Sequence, residues 1–391
     1  MKRWIWLGLL GLMACHHEEP PPPPAPPAPG VVPRQPLLCP FLGEGLPPSQ
    51  GRMSTVGVRE EPLRDGREPV LVRFRSGVAV RRGQVKYEWP RLHALAARLT
   101  PEESRALAKD PRVLAIEPDG PVVALGLPPP VGSVSGVASL SSGSAGESTV
   151  GLRMIHAPQV WDANGDGSLD VGAPTGEGIK VCVIDSGWDD RHPELRAAYA
   201  GGWDFIEEDG DPRDYSNEKQ AWGGGHGMHV AATIAARFGS GGRVRLGSEP
   251  GGMVGVAPGA SLLIARVLDI DGQGRMSDVV AALEWCRSRG ARIASLSLAS
   301  PQHNELVEKA FEDALAAGML SIAASGNSGT DDPQTTPPMA YPAAYPSVLA
   351  VGAVDNQGQH PMFSQIGPAL SLVAPGVDVL SAMILGAASC F

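Results

Sequence analysis

Residues 179–187 read Ile-Lys-Val-Cys-Val-Ile-Asp-Ser-Gly, an apolar run that ends in a carboxylate and a glycine. A short apolar run bounded by turn residues is typical of a strand buried on both faces of a parallel sheet. Open α/β folds place their sites at the carboxyl edge of such a sheet. Asp185 is therefore the first candidate for chemistry, although by itself it also fits a phosphatase, a binding protein or a plain turn.

Further short apolar runs alternate with helical patterns through the second half of the chain. We predict strands at Ile179–Ile184, Leu262–Leu268, Ile293–Leu298, Met319–Ala324 and Val348–Val354. Ser277 is placed to cap a helix that ends at Gly290, and Asn304 one that ends at Gly318. The alternation predicts an α/β fold, with a parallel sheet flanked by helices.

A histidine follows three glycines at residues 223–225 and opens an alanine-rich segment. Glycine has no Cβ, so it lets an imidazole approach its partners closely. His226 lies 41 positions after Asp185 (226 − 185), and the two together suggest a general base and the carboxylate that orients it. A lone histidine here would more often be structural, which is how we interpret the nearby His229.

Asn327 lies in a glycine-rich turn, Ser-Gly-Asn-Ser-Gly, directly after a predicted buried strand. A side-chain amide fixed on such a turn is suited to donate a hydrogen bond to an oxyanion. An ordinary turn without a chemical role is the alternative.

Taken in order, these motifs resemble the subtilisin-like serine protease (subtilase) family. The matching stretches between residues 150 and 381 are VCVIDSG, HPEL, HGMHVA, GVAPGA, SLSLAS, SGNSG, YPAAYPSVLAVGAVD and SLVAPGVDVLS. The resemblance implies a subtilisin-like sheet and hydrolysis of peptide bonds by acyl transfer, with no cofactor required. It implies that Asp185 orients His226, that His226 is the general base and that Asn327 binds the oxyanion. It also implies that Ser297, Leu298 and Ala299 pair with an extended peptide or protein substrate.

The nucleophilic serine of that family belongs to a Gly-Thr-Ser motif beyond the segment that ends here at Gly376. Fifteen residues follow Gly376 (391 − 376), and Ser389 among them lacks the motif. We therefore expect a chain truncated before its nucleophile, which neither hydrolyses peptides nor cuts its own linker. The alternative is a non-catalytic surface lipoprotein that uses a pseudo-protease domain to bind peptides or a partner.

The N-terminus has the features of an export signal. Lys2 and Arg3 precede an apolar stretch too short to span a membrane, and Leu-Met-Ala-Cys at residues 12–15 resembles a bacterial lipobox. We predict a lipoprotein signal peptide over residues 1–14 and a lipidated Cys15 with a proline-rich tether over 15–52. The protein would then be exported and held by its lipid at the outer membrane or cell surface. An ordinary signal peptide with a chance cysteine is the alternative.

Residues 53–125 are predicted to form a small α+β domain. The pattern indicates a strand at Val70–Phe74, helical spacing at Leu92–Leu99, a capping box at Thr100 opening a helix to Ala108, and a strand at Arg112–Ile116. This order resembles the inhibitor-like propeptides of the same family, so the chain's own propeptide is an expected partner. A Gly/Ser linker over 126–149 would separate it from the catalytic domain over 150–391, with maturation cleavage just before Thr149.

Charge and cysteine content exclude some functions. There are 32 basic and 42 acidic residues, an acidic balance that gives no basic stripe and argues against nucleic-acid binding. The five cysteines form no Cys-x-x-Cys pair, so a zinc site is not expected. Cys182 and Cys286 fall in predicted buried elements, and we interpret them as free thiols.

Oxygen-bearing side chains alternate around a glycine turn near residue 165, with the spacing of a calcium loop. The candidate ligands are Asp162, Asn164, Asp166 and Asp170. The twelfth position holds Ala173 and not the bidentate glutamate of an EF-hand. A structural calcium site and a surface turn rich in Asp and Asn both fit this sequence.

Overall fold

Residues near the N-terminus fold into a four-stranded antiparallel sheet. The computed structural model describes residues 65–75, 82–125, 148–166, 168–214, 225–239, 242–243, 250–251, 253–330, 332 and 335–384. In chain order the first elements are β1 (Glu68–Phe74), β2 (Gln84–Trp89), a 3-10 turn (Pro90–Leu92), β3 (Ala94–Leu99), α1 (Pro101–Leu107) and β4 (Val113–Pro118). The strands lie in the order β2-β3-β1-β4, and we call β1–β4 with α1 the N-terminal sheet.

The helix predicted at Leu92–Leu99 is wrong, because β3 occupies this segment as an interior strand. All of its residues except Arg98 are buried. Leu95 belongs to the core beneath the N-terminal sheet, whereas Ala96 packs towards the second half of the chain. A strand covered on both faces loses the alternation that would distinguish it from a helix. The predicted capping box is confirmed, since the Thr100 hydroxyl accepts the Glu103 N–H and the Glu103 carboxylate accepts the Thr100 N–H.

The second half of the chain forms a seven-stranded parallel sheet. After β5 (Pro121–Ala124) come α2 (Val150–Met154), α3 (Pro158–Trp161), β6 (Lys180–Asp185), α4 (Pro193–Arg196), β7 (Tyr199–Asp204), α5 (His226–Ala235), β8 (Gly242–Arg243), β9 (Pro250–Gly251), β10 (Ser261–Arg266), β11 (Gln273–Arg275), α6 (Met276–Ser288), β12 (Ile293–Leu296), β13 (Leu298–Ala299), α7 (Glu305–Ala316), β14 (Leu320–Ala324), β15 (Val348–Val354) and β16 (Leu370–Pro375). The strands of the parallel sheet lie in the order β16-β15-β14-β12-β6-β10-β7. The predicted α/β fold class is confirmed.

Alternate side chains of the central strands pack into two different cores. Ile184 on β6 and Leu263 on β10 lie in the core that includes α6 and α7. Their neighbours Val183 and Ile264 lie in the core that includes α5. Helices therefore cover both faces, which leaves the carboxyl edge of the sheet as the place where polar side chains collect.

Cys182 and Cys286 form a disulfide, so the prediction of free thiols is wrong. Cys182 lies on β6 and Cys286 on α6, with their Cα atoms 6.0 Å apart and both side chains fully buried. They are 104 positions apart in sequence. The bond ties the strand that carries Asp185 to a helix on one face of the sheet.

Two predicted helix starts have different outcomes. Asn304 caps α7 as predicted, because its side chain accepts the N–H groups of Leu306 and Val307. Ser277 is not the cap of α6, which begins one residue earlier. Its N–H instead donates to Asp119 Oδ1 at 2.9 Å, so a carboxylate from the residues after β4 does what a cap would do.

Candidate active site

Asp185 and His226 lie in contact at the carboxyl edge of the parallel sheet. Asp185 is the last residue of β6, and His226 is the first residue of α5. His226 Nδ1 lies 2.7 Å from Asp185 Oδ1, and the same oxygen accepts the Ser186 N–H at 2.7 Å. Asp185 is 1% exposed and His226 is 8% exposed. A buried, charge-assisted contact of this length fixes the imidazole ring in one orientation.

The surroundings of His226 favour its charged form. Burial opposes a positive charge, but the Asp185 charge and hydrogen bond, a backbone hydrogen bond with Leu125 and the Asp214 charge together raise its pKa above the ordinary value. A histidine of this kind accepts a proton readily and is stabilised once it holds one.

The glycine after His226 is required by the close approach of two segments. A Cβ on Gly227 would lie 2.3 Å from the backbone oxygen of Gly187, two residues beyond Asp185. Any side chain at position 227 would therefore push α5 away from the end of β6. This is the physical reason for a glycine directly after the histidine.

A segment of the chain itself runs through the cleft beside this pair. β5 lies between β11 and β13 and is antiparallel to both, with Val123 opposite Gln273 on one side and opposite Ala299 on the other. The hydrogen bonds continue beyond the strand, since Ala124 N–H donates to Gly272 O at 2.7 Å and Leu125 N–H donates to Ser297 O at 2.8 Å. We call residues 121–125 the cleft strand.

Ser297, Leu298 and Ala299, the predicted substrate-binding residues, thus border the cleft strand. Sequence reasoning missed the opposite border, β11, because its three residues, Gln-Gly-Arg, give no strand signal of their own. Val122 of the cleft strand is fully buried and belongs to the core that includes α6. The cleft therefore pairs with a peptide backbone on two sides and buries one of its side chains.

Asn327 lies in the loop after β14, at the same edge of the sheet as Asp185. Gln365 holds this loop by two hydrogen bonds. Its side-chain Oε1 accepts the Ser328 N–H at 3.3 Å, and its backbone N–H donates to Gly326 O at 3.0 Å. Gly326 has a φ of +120°, and a Cβ there would collide with the Gln365 side chain. The loop is held, but the oxyanion role of Asn327 stays a prediction.

His229 has the structural role expected of it. Its Nε2 lies 3.0 Å from the backbone oxygen of Val379, and burial lowers its pKa to about 4. A neutral ring at ordinary pH then serves to hold a neighbouring segment against α5.

The oxygen-rich loop near residue 165 is closed by its own backbone amides. Asp162 Oδ1 accepts the Asp166 N–H at 3.0 Å, and Asp170 accepts the Ala163 N–H at 2.7 Å and the Asn164 side-chain N–H at 2.9 Å. Within the described ranges, no three His, Cys, Asp or Glu residues are grouped to hold a metal ion. Calcium binding by this loop stays a prediction.

Several predicted features lie outside the described residues: the signal peptide, Cys15 and its tether, residues 126–147 of the linker, and Ser389. No helix in the described part of the chain is long and apolar enough to cross a membrane.

A parallel α/β sheet with a buried aspartate–histidine pair at its carboxyl edge, beside a cleft that pairs with an extended strand, is typical of hydrolases that act on peptides. Comparison with known proteins gives the same class. The model of the subtilase family matches residues 176–389, more than half of the chain. This chain belongs to the subtilase family.

Individual relatives agree with the family match. An alkaline protease of Shouchella clausii is 34% identical over 298 residues, which cover 76% of this chain and 64% of the relative. Subtilisin E of Bacillus subtilis (strain 168) is 32% identical over 301 residues, covering 77% and 66%. Subtilisin BL of Lederbergia lenta is 40% identical over 207 residues, covering 53% and 67%. The chain thus spans about two thirds of the length of these relatives, or slightly less.

Proposed function

We propose that this chain is the precursor of a subtilisin-like serine endopeptidase, and that the N-terminal sheet with the cleft strand is its inhibitor-like propeptide. The cleft strand is the observation that carries the proposal. It runs between β11 and β13 as an extended peptide and reaches His226 at Leu125. Substrates would be peptides or proteins whose backbone adds to the same two strands.

The chemistry of such a site is acyl transfer. His226 would take the proton of a seryl nucleophile as that oxygen attacks the peptide carbonyl, and would return it to the leaving amine. Asp185 holds the ring and stabilises the charge that forms on it. Asn327 is proposed to donate to the oxyanion. No cofactor enters these steps.

Among the described residues, no serine hydroxyl is hydrogen-bonded to His226. We propose that the cleft binds an extended peptide, and the mass measurement below tests whether residues 1–391 also hydrolyse one. Peptide binding is also expected of a non-catalytic surface lipoprotein. This is the second candidate function, and the cleft strand lying between β11 and β13 supports it.

The bond that an active form would cut is Leu125–Gly126. Leu125 is hydrogen-bonded to Ser297 and to His226, so its backbone lies beside the proposed general base. The sequence alone suggested a cut just before Thr149. The Thr149 hydroxyl instead accepts the Leu152 N–H and caps α2, which favours the earlier position.

We also propose that the chain is exported and held at a bacterial membrane surface through lipid on Cys15. The buried Cys182–Cys286 disulfide supports an oxidising compartment. Mass spectrometry of the chain from a bacterial envelope tests this, with Cys15→Ala as the control. A diacylglycerol adduct on Cys15 is expected, and an unmodified Cys15 would leave the ordinary export signal as the explanation.

Intact-mass measurement of the purified chain tests the proposed site. We expect the Leu125–Gly126 bond to stay intact in both the wild type and His226→Ala. Cleavage there in the wild type alone would mean that these residues do hold a nucleophile, and would confirm the protease while overturning its inactivity.

Peptide binding is tested with Pro-Val-Val-Ala-Leu added to a Val122→Asp variant, in which the chain's own strand is displaced. Failure of this peptide to bind would count against both candidate functions.

A further inference from the structure

A second carboxylate lies beside the aspartate–histidine pair. Asp214 Oδ2 accepts hydrogen bonds from the Ser186 hydroxyl at 2.8 Å and from the Gly225 N–H at 2.7 Å. The Ser186 oxygen in turn accepts the Gly227 N–H at 2.9 Å. These two residues therefore hold the backbone amides immediately before and immediately after His226.

In the described part of the chain, each of these amides has this one acceptor. The first N–H groups of a helix lack partners within the helix, and a side chain at the cap normally satisfies them. The cap of α5 is Gly225, which has no side chain and makes no such bond. Asp214 and Ser186 thus replace the missing cap at the point where the histidine enters the helix.

Asp214 is itself fixed relative to the end of β6. Its N–H donates to Trp188 O at 2.8 Å, and the Trp188 N–H donates to Pro212 O at 3.2 Å. Gly187 has a φ of +108°, and a Cβ there would lie 2.5 Å from Pro212 O. The segment that carries Asp214 is therefore in direct contact with the residues that follow Asp185.

We infer that Asp214 and Ser186 are positioning residues for His226, which fix its backbone on both sides so that Nδ1 stays on Asp185. The inference rests on the proposed function, in which His226 is the general base. A histidine displaced by an ångström at its Cα would lose either its aspartate or its position beside the cleft.

The charges around the pair are consistent with this role. Burial raises the pKa of Asp214 to about 6; the Asp185 charge acts in the same direction, whereas the Gly225 and Ser186 hydrogen bonds and the Arg266 charge oppose it. The Asp214 carboxylate also helps to raise the pKa of His226, together with Asp185. His229, a further titratable group of the described residues, also interacts with His226.

Amide hydrogen exchange and histidine NMR on the full chain test the inference without any need for hydrolysis. In Ser186→Ala we expect the Gly227 amide to exchange about tenfold faster or more, while Gly225 keeps its protection from Asp214. In Asp214→Ala both amides should lose protection. In Asp214→Asn, which keeps an acceptor but removes the charge, the His226 pKa should fall. Asp190→Asn removes an exposed charge five residues from Asp185 and is the matched control.

The outcomes separate the inference from the proposed function. If Asp214→Ala does not fold, Ser186→Ala and Asp214→Asn carry the test. Unchanged exchange at Gly227 in Ser186→Ala, with an unchanged His226 pKa in Asp214→Asn, would overturn the positioning role and leave the protease proposal intact. If the exchange pattern is as expected but the peptide Pro-Val-Val-Ala-Leu does not bind, the positioning role stands and the proposed function is overturned.

Discussion

The parallel sheet and the N-terminal sheet are stabilised in different ways. The parallel sheet is covered by α5 on one face and by α6 and α7 on the other, and a buried disulfide joins β6 to α6. The N-terminal sheet has its own small core on one face. Its other face shares the core of α6 and α7 through Leu71, Trp89 and Ala96, and polar contacts and the cleft strand add to this apolar contact. The Asp185–His226 contact joins β6 to α5 and includes no residue of the N-terminal sheet. We therefore expect this contact to persist when the N-terminal sheet is undocked.

The polar contacts are concentrated at the start of α6. Asp119 Oδ1 accepts the Ser277 N–H, and the Asp119 carbonyl accepts a hydrogen bond from Arg275 at 3.1 Å. Lys86 and Tyr87 both donate to Asp278 Oδ1 at 2.8 Å. These contacts bury charges, so they are sensitive to pH and to the loss of a partner in a way that an apolar core is not.

The largest effect should come from breaking the disulfide of the parallel sheet. Replacing Cys182 and Cys286 by Ala removes a cross-link across 104 positions, for which a chain-entropy account gives a loss of about 4–5 kcal/mol in the free energy of unfolding. Guanidinium unfolding measures the change. Reductant should lower the wild-type midpoint and leave that of the double variant unchanged.

A thiol count checks the same prediction independently. The chain has five cysteines, so at most three (5 − 2) should react with a thiol reagent after unfolding without reductant. A count of five would restore the free-thiol interpretation.

A charge on the cleft strand should release this strand from β11 and β13. Val122→Asp places a carboxylate where the side chain is fully buried, so we expect the strand to leave the cleft at a cost of about 3 kcal/mol in docking free energy. Exchange of the Ala124 and Leu125 amides, which donate to Gly272 and Ser297, measures docking. Val123→Asp, at a half-buried position, is the control and should have a smaller effect. If Val122→Asp and Val123→Asp weakened docking equally, burial of the Val122 side chain would not be what stabilises the docked strand.

Docking of the N-terminal sheet should weaken as pH rises. Burial raises the pKa of Asp119 from 3.8 to about 6; the Asp278 charge adds to this, and the Ser277 hydrogen bonds and the Arg275 charge oppose it. The docked form binds the proton more tightly, so its stabilisation is complete below pH 4 and is lost as the pH rises through about 6. The change in docking constant is on the order of a hundredfold.

The cleft-strand amides, corrected for intrinsic exchange, measure this dependence between pH 4 and 8. Asp119→Asn keeps the acceptor for Ser277 and should flatten most of the profile. A residual slope of the same sign is expected from Asp278, whose pKa is raised by burial against the opposing Lys86 charge. A wild-type profile without a slope would contradict the prediction.

Local patterns were sufficient to predict five of the seven strands of the parallel sheet, because these five are short apolar runs. The edge strands β7 and β16 were missed: β7 contains two glycines, and most residues of β16 are exposed or half-buried. Asp185 and His226 were proposed as a pair from their motifs and the family resemblance, and the structure brings them into contact. Features that depend on distant segments could not be predicted: the disulfide joins positions 104 apart, and Ser186 meets Asp214 from 28 positions away (214 − 186). β3 was misread because burial on both faces removed its alternation.

The smallest effect should come from a single ion pair, and it tests whether burial decides which charges matter at this interface. Lys86 is partly exposed, but its partner Asp278 is only 4% exposed at the side chain. Lys86→Met keeps the aliphatic stem and leaves that carboxylate with the Tyr87 hydroxyl alone, so docking should weaken by about 1 kcal/mol, roughly fivefold. Arg105→Met removes an equally charged side chain whose pair with Glu102 is exposed on both sides, and should leave docking unchanged. If the two variants behaved alike in the exchange of Leu125, the docking of the N-terminal sheet would depend on its overall charge and not on the buried contacts at α6.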